Sequence, residues 1–240
     1  MKLTDITQVW VYLSGSPLLA LILTLWAYRI ALWVSSAAKQ HPLANPVLIA
    51  VVITATGITM LGMPYAKYFE GAQFVHFLLG TATVSLAVPI YHGLAALRAR
   101  LPYLATALVV GGCTSIATGV GLAKLLGATD FVAAGFYAKS LTTPIAMGVA
   151  ERIGASPTLT ATYALLSGVL GALLGRPLLN AVGCRAWWQR GFAIGIAAHG
   201  IGTSRAFAVH PEAGAYASLA MGMHGIVGAT FIPLLAAYVS

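Results

Sequence analysis

Whole blocks of this chain are apolar on every face, as at 20–26 and 165–174, and such blocks recur from end to end with only short turns between them. Water cannot solvate that much apolar surface on one chain, so the bilayer is the natural solvent. The scarcity of charge agrees: 8% of the residues are charged, where a soluble domain carries about a quarter. A closed β-barrel needs alternating residues in shorter strands, and blocks of this kind do not alternate. The expected fold is an all-α multi-pass integral membrane protein with about seven or eight membrane segments, some broken or re-entrant.

Apolar runs place the segments near 10–34, 46–61, 74–91, 102–126, 131–150, 157–174, 192–209 and 215–239. They form one transmembrane domain over 1–240, in which 9–36 is an extra N-terminal span and 46–126 and 131–239 are candidate repeat units. The opening residues carry both Lys2 and Asp5, a poor basic start for a cleaved leader, so the first span is expected to be retained. Cys113 and Cys184 lie in an apolar segment and a basic loop and are expected to be unpaired thiols. The net charge of +8 is spread over short loops. That pattern suits topology signals and anionic-lipid contacts rather than nucleic acid.

An internal echo supports the repeat. Pro89-Ile90 is followed by Pro102 after 12 residues, and Pro144-Ile145 by Pro157 at the same spacing. A looser echo pairs 166–172 (LSGVLGA) with 221–229 (MGMHGIVGA). If Lys39, Arg98 and Arg100 face the cytoplasm, simple crossings leave Arg176, Arg185 and Arg190 on the opposite side. A fifth segment that enters and leaves by one face returns them to the cytoplasmic side and gives the two Pro-spaced units opposite orientations. Inverted repeats with broken helices are a recurrent transporter plan.

Two polar strings interrupt apolar runs. Residues 139–146 read KSLTTPIA. Pro144 cannot donate a backbone hydrogen bond and clashes with the preceding turn, so a helix breaks or kinks there. The freed N–H and C=O groups must face protein or a wet cavity. Lys139, Ser140, Thr142 and Thr143 surround the break, and a helix amino terminus after it favours an anion. The competing reading is a packing kink with Lys139 reaching for the interface. Residues 199–206 read HGIGTSRA. Gly200 and Gly202 permit an unwound backbone, His199 and Thr203 share a helical face, and Arg205 offers a planar fork for a carboxylate. Its competing reading is an arginine anchoring a helix end. Weaker candidates are Asn45, His76, Thr81, Thr83 and His224, with Pro89 as a further helix break. Met221 and Met223 read as ordinary packing, and the Gly/Ala runs near 168 and 222 as close helix contacts.

Signatures of catalysis are missing from the sequence. It has no zinc-binding histidine pair, nucleophile elbow, phosphate loop or dinucleotide fingerprint. The expectation is therefore no enzyme, no metal and no cofactor. The five acids fall at segment ends or in loops, so no intramembrane carboxylate relay is evident.

The strings KSLTTPIA and HGIGTSRA, together with GTATVSLAVPIY at 80–91, resemble the LrgB/CidB membrane family, and the likeness runs from about Pro46 to the carboxyl end. In bacteria the resemblance implies control of murein hydrolase export and lysis beside a small holin-like partner. The plant relatives it implies are plastid-envelope carriers of glycolate and glycerate. Positions matching the family motifs are Lys139, Ser140, Thr142, Thr143, Pro144, His199, Gly202, Thr203 and Arg205. The residues themselves favour carriage of a small anion. The combined expectation is an alternating-access transporter of 2-hydroxycarboxylates such as glycolate, glycerate or lactate. It would sit in the bacterial cytoplasmic (inner) membrane, as a homodimer, with the lipid bilayer and the carboxylate substrate as its partners. The alternatives are a regulator acting on a holin-like membrane partner, and a channel.

Overall fold

The computed structural model describes residues 17–39, 41, 44–85, 88, 91 and 94–239. All regular elements among them are helical: α1 (Pro17–Ala37), α2 (Pro46–Met60), α3 (Tyr65–Ser85), α4 (Leu94–Leu125), α5 (Asp130–Ala134), a 3-10 turn (Gly135–Ala138), α6 (Thr143–Arg152), α7 (Pro157–Ala181), α8 (Trp187–Val209) and α9 (Pro211–Val239). Among the described residues five helices are long and apolar enough to cross a membrane: α1, most of α4, α7, α8 and most of α9. The protein is thus an all-α, multi-pass membrane protein. The expected Pro89 break lies outside the described residues. α4 begins at Leu94 and runs through Pro102, so that proline sits inside a helix instead of opening one. The two cysteines are free thiols.

The chain divides into two compact units, Met1–Ser85 and Leu86–Ser240. In the first, α1 packs against α2 and α3. Gly71 of α3 lets the backbone of Pro17 approach, because a Cβ there would collide with the Pro17 carbonyl. Thr24 and Tyr68 share a hydroxyl hydrogen bond of 2.8 Å between α1 and α3. Asn45 caps α2 by accepting from the N–H groups of Val47 and Leu48, which satisfies donors left orphaned at a helix start.

The second unit holds both polar strings. Its core joins Leu104 and Leu108 of α4 to Phe192 and Ile196 of α8 and to Tyr216, Leu219 and Ala220 of α9. Arg100 meets Trp188 and Tyr216, while Gly111 and Gly112 farther along α4 face Ile196 and His224, so α4, the first half of α8 and α9 run the same way. Arg100 marks one end of the unit. It lies over the Trp188 ring at 4.8 Å, donates to the Tyr216 hydroxyl and pairs with Glu212 at 3.9 Å. Lys124, bridged to Asp130 at 3.2 Å, marks the other end.

α8 is not a straight rod. About 35 Å should separate the ends of a helix its length, yet Trp187 at its start stacks on His210 just past its end, with ring centroids 4.7 Å apart. The chain folds back at His199, whose φ of 39° and ψ of −131° are non-helical. The returning arm touches the outgoing one: a Cβ at Gly202 would meet Ala198 Cβ at 2.5 Å. The outgoing arm is seated on α9 through Gly191 and Gly195, where any Cβ would collide with the carbonyls of Ala213 and Ala217. Small residues let helix backbones meet in this way where lipid supplies no hydrophobic drive.

The segment around 139–142 also folds back, from the opposite end. It descends beside α4 from Asp130, paired with Lys124, to Lys139, whose ammonium donates to the Ser115 hydroxyl at 2.8 Å. It also runs parallel to the start of α7, with Phe136 stacked on Tyr163 at 4.1 Å. α6 then packs along α7 and returns the chain to the start of α7. Ser156 caps α7 by accepting from the Leu159 N–H. α7 itself runs down to Asn180, which accepts from Arg190 at 2.8 Å near the Arg100 end. Two bends therefore approach each other from opposite ends of one unit.

Candidate functional site

The first bend follows from local chemistry. Thr142 holds an extended backbone (φ −60°, ψ 140°), as the residue two before a proline in a helix start allows, and Pro144 occupies the first turn of α6. A proline there lacks only an N–H that would have no intrahelical partner. Pro144 thus opens a half-helix, whose first-turn N–H groups receive no bond from the Thr142 side chain.

The second bend differs from its expected form. The sequence placed it at Gly200 and Gly202, but neither is among the positive-φ residues, and the backbone turns at His199. A non-glycine residue at positive φ is strained, and three contacts hold it. His199 Nε2 lies 2.8 Å from the Ala164 carbonyl oxygen. The Thr203 hydroxyl donates to the His199 carbonyl at 2.7 Å. Gly168 leaves the room the imidazole occupies, since a Cβ there would sit 2.8 Å from His199 Cε1. The two glycines serve close approach instead, Gly202 to Ala198 and Ile194, and Gly200 toward the Met221 sulfur.

Both bends abut one turn of α9. Thr203 Oγ1 lies 4.0 Å from Met221 Sδ. Ser140 Oγ lies 3.0 Å from His224 Nε2, in a buried hydrogen bond. Met221 and His224 are three residues apart in the sequence and so adjacent on one helix face. Lys139, beside Ser140, and His199 are both within electrostatic reach of His224. Gly112 of α4 leaves space for the His224 ring, and Gly119 for the Lys139 stem. Lys139, Ser140, His199, Thr203 and His224 thus gather where the bends meet, and no carboxylate among the described residues is bonded to any of them. Among the described residues no cluster of histidine, cysteine and acidic side chains could hold a metal.

A cavity of about 750 Å³ opens beside this cluster, between α4, α7 and the outgoing arm of α8. Its polar walls are Thr114, Ser115, Thr118, Lys139, Ser167 and Gln189; the remainder is largely aliphatic and aromatic. The sequence reading missed the α4 hydroxyls. Their signal was present, since Thr114-Ser115 and Thr118 interrupt an otherwise apolar helix. Met221, read as packing, touches the second bend.

The other candidates fall elsewhere. Arg205 is half-buried on the returning arm of α8 and does not line the cavity. Thr142 and Thr143 are half-buried at the start of α6. Asn45 is a helix cap in the first unit. The exposed Thr81 hydroxyl donates to the Leu78 carbonyl at 2.8 Å. The side chains of His76 and Thr83 lie outside the described residues.

Comparison with known proteins agrees with the motifs. The model of the LrgB-like family matches residues 24–238. An uncharacterized protein of Haemophilus influenzae is 29% identical over 213 residues, covering 89% of this chain and 92% of that protein. A holin-like protein CidB of Staphylococcus epidermidis is 26% identical, covering 82% and 86%. An antiholin-like protein LrgB of Bacillus mycoides is 25% identical, covering 93% and 97%. No solved structure matches the chain. With a family model that spans nearly its whole length, this chain belongs to the LrgB-like family.

Proposed function

We propose that this protein carries small 2-hydroxycarboxylates, of the size of glycolate, glycerate or lactate, across a bacterial cytoplasmic membrane by alternating access. The observation that carries the proposal is the convergence of two helix breaks on Met221 and His224, with the Lys139 ammonium beside them and a cavity at hand. Freed backbone groups at membrane depth are tolerated only against protein or a water-filled space, and an anion there gains from a helix start and a fixed cation. In this reading the substrate carboxylate lies at Lys139, Ser140 and the start of α6, with Thr142 and Thr143 donating to it. Arg205, on the returning arm of α8, meets the carboxylate in another stage of the cycle.

An inverted repeat fits the same reading. Gly168 and Gly171 of α7 seat the His199 bend, while Gly225 and Gly228 of α9 seat Ile145 and Leu141 of the other. These glycines fall at matching places in the echo between 166–172 and 221–229. Crossed seating of this kind allows one bend to loosen as the other tightens, which alternating access requires.

Uptake of labelled glycolate or lactate into proteoliposomes tests the proposal. Lys139→Ala should lower uptake about tenfold or more, the effect of losing a charge-assisted contact. Unchanged uptake in both Lys139→Ala and Arg205→Ala would overturn it. The names of the relatives, holin-like CidB and antiholin-like LrgB, favour a second reading, a regulator acting on a holin-like membrane partner. That reading gains if a small membrane protein co-purifies while saturable uptake is absent.

A further inference from the structure

His224 has no part in the carboxylate contacts described above, yet it is buried and hydrogen-bonded directly to the bend that would hold the substrate. The acids of this unit stand away from it. Asp130 is bridged to Lys124, Glu212 to Arg100, and Glu151 is exposed on the last turn of α6. The titratable or charged groups that face His224 are Lys139 from the first bend and His199 from the second. The α4 residue against its ring is Gly112.

We infer that His224 is the proton-coupling residue, and that a proton on its imidazole converts the Ser140 hydroxyl from a donor spent on His224 into a donor available to the substrate carboxylate. This inference rests on the transport reading above. It follows from the inventory of donors and acceptors. The inference assigns the neutral ring the tautomer with its hydrogen on Nδ1, so that Nε2 accepts the Ser140 O–H; only hydroxyl lone pairs then face the site, which repel an anion. A protonated ring carries N–H on both nitrogens, so Ser140 Oγ must accept at the same 3.0 Å contact. The hydroxyl hydrogen then turns outward to the carboxylate. The proton also adds positive charge to a site that already holds Lys139 and, among the described residues, contains no acid to neutralise it. Anion and proton therefore favour each other's binding, by the reciprocity that governs any two linked ligands. On release the proton leaves with the anion, so a monocarboxylate crosses as one proton and one negative charge with no net charge moved.

The test uses the full chain in proteoliposomes, labelled lactate as probe, a clamped membrane potential and empty liposomes for subtraction. An imposed gradient of one pH unit, alkaline inside, should raise lactate accumulation toward about tenfold at equilibrium. The apparent affinity for lactate should rise as external pH falls. His224→Gln should flatten that pH profile whatever its absolute rate, and Ser140→Ala should lose affinity most at low pH. If wild-type uptake is saturable but ignores the gradient, the coupling falls and the transport reading stands. A pH profile in either variant that keeps the wild-type slope also overturns the coupling. Absence of any saturable uptake in the wild type overturns both. Should His224→Gln fail to reach a folded, monodisperse state, Ser140→Ala decides alone.

Discussion

The two bends of the second unit do the same mechanical job with opposite chemistry. The first has a local origin in the chain, since Pro144 and the extended Thr142 open a half-helix, although Ser140 and Lys139 beside it also bond His224 and Ser115. The second rests on a histidine held at φ 39° by an α7 carbonyl, an α7 glycine and a threonine one turn on. Its glycines, which looked like the break, serve close approach. A bend enforced by covalent structure is insensitive to its neighbours. One enforced by tertiary contacts lasts only while those contacts do.

This contrast can be broken most forcefully at Gly168. Gly168→Leu fills the space of the His199 ring and should destabilise the fold by about 3 kcal/mol or more, as overpacking of a rigid interior does. Thermal unfolding in detergent, followed by size exclusion, would register it, and a variant as stable as the wild type would show that the ring has another place to go. His199→Ala comes next. It removes the imidazole's bond to the Ala164 carbonyl, leaves a void and retains the unfavourable φ, for a loss of about 2–3 kcal/mol. His199→Gly should recover part of that loss, because glycine tolerates positive φ. Smallest is Pro144→Ala, expected to cost about 1 kcal/mol or less through the greater freedom of the unfolded chain. Equal destabilisation by Pro144→Ala and His199→Ala would erase the distinction between the bends. In the first unit Asn45→Ala supplies a reference for a purely local effect, about 1 kcal/mol for a lost helix cap.

Much of the architecture was legible in the chain. The polar string at 139–146 marked a break because proline chemistry is local, whereas Asn45, singled out in the sequence as a weaker site candidate, caps α2. The extent of α4 was less legible, because a proline inside a helix is tolerated when neighbouring groups satisfy what it frees. The site was legible only in part. Lys139, Ser140, His199 and Thr203 stood out as polar residues in apolar runs, whereas Ser115 and Ala164, which bond two of them, lie on other helices.

The sequence by itself determined that this chain lives in a bilayer as helices and that two polar strings interrupt them, because hydrophobic surface and proline geometry act over a few residues. Only the tertiary structure decided that His199 carries the second turn and that both bends rest on Met221 and His224. Those outcomes depend on which glycine faces which side chain across a helix pair, and spacing along one chain carries no such information until the helices are packed.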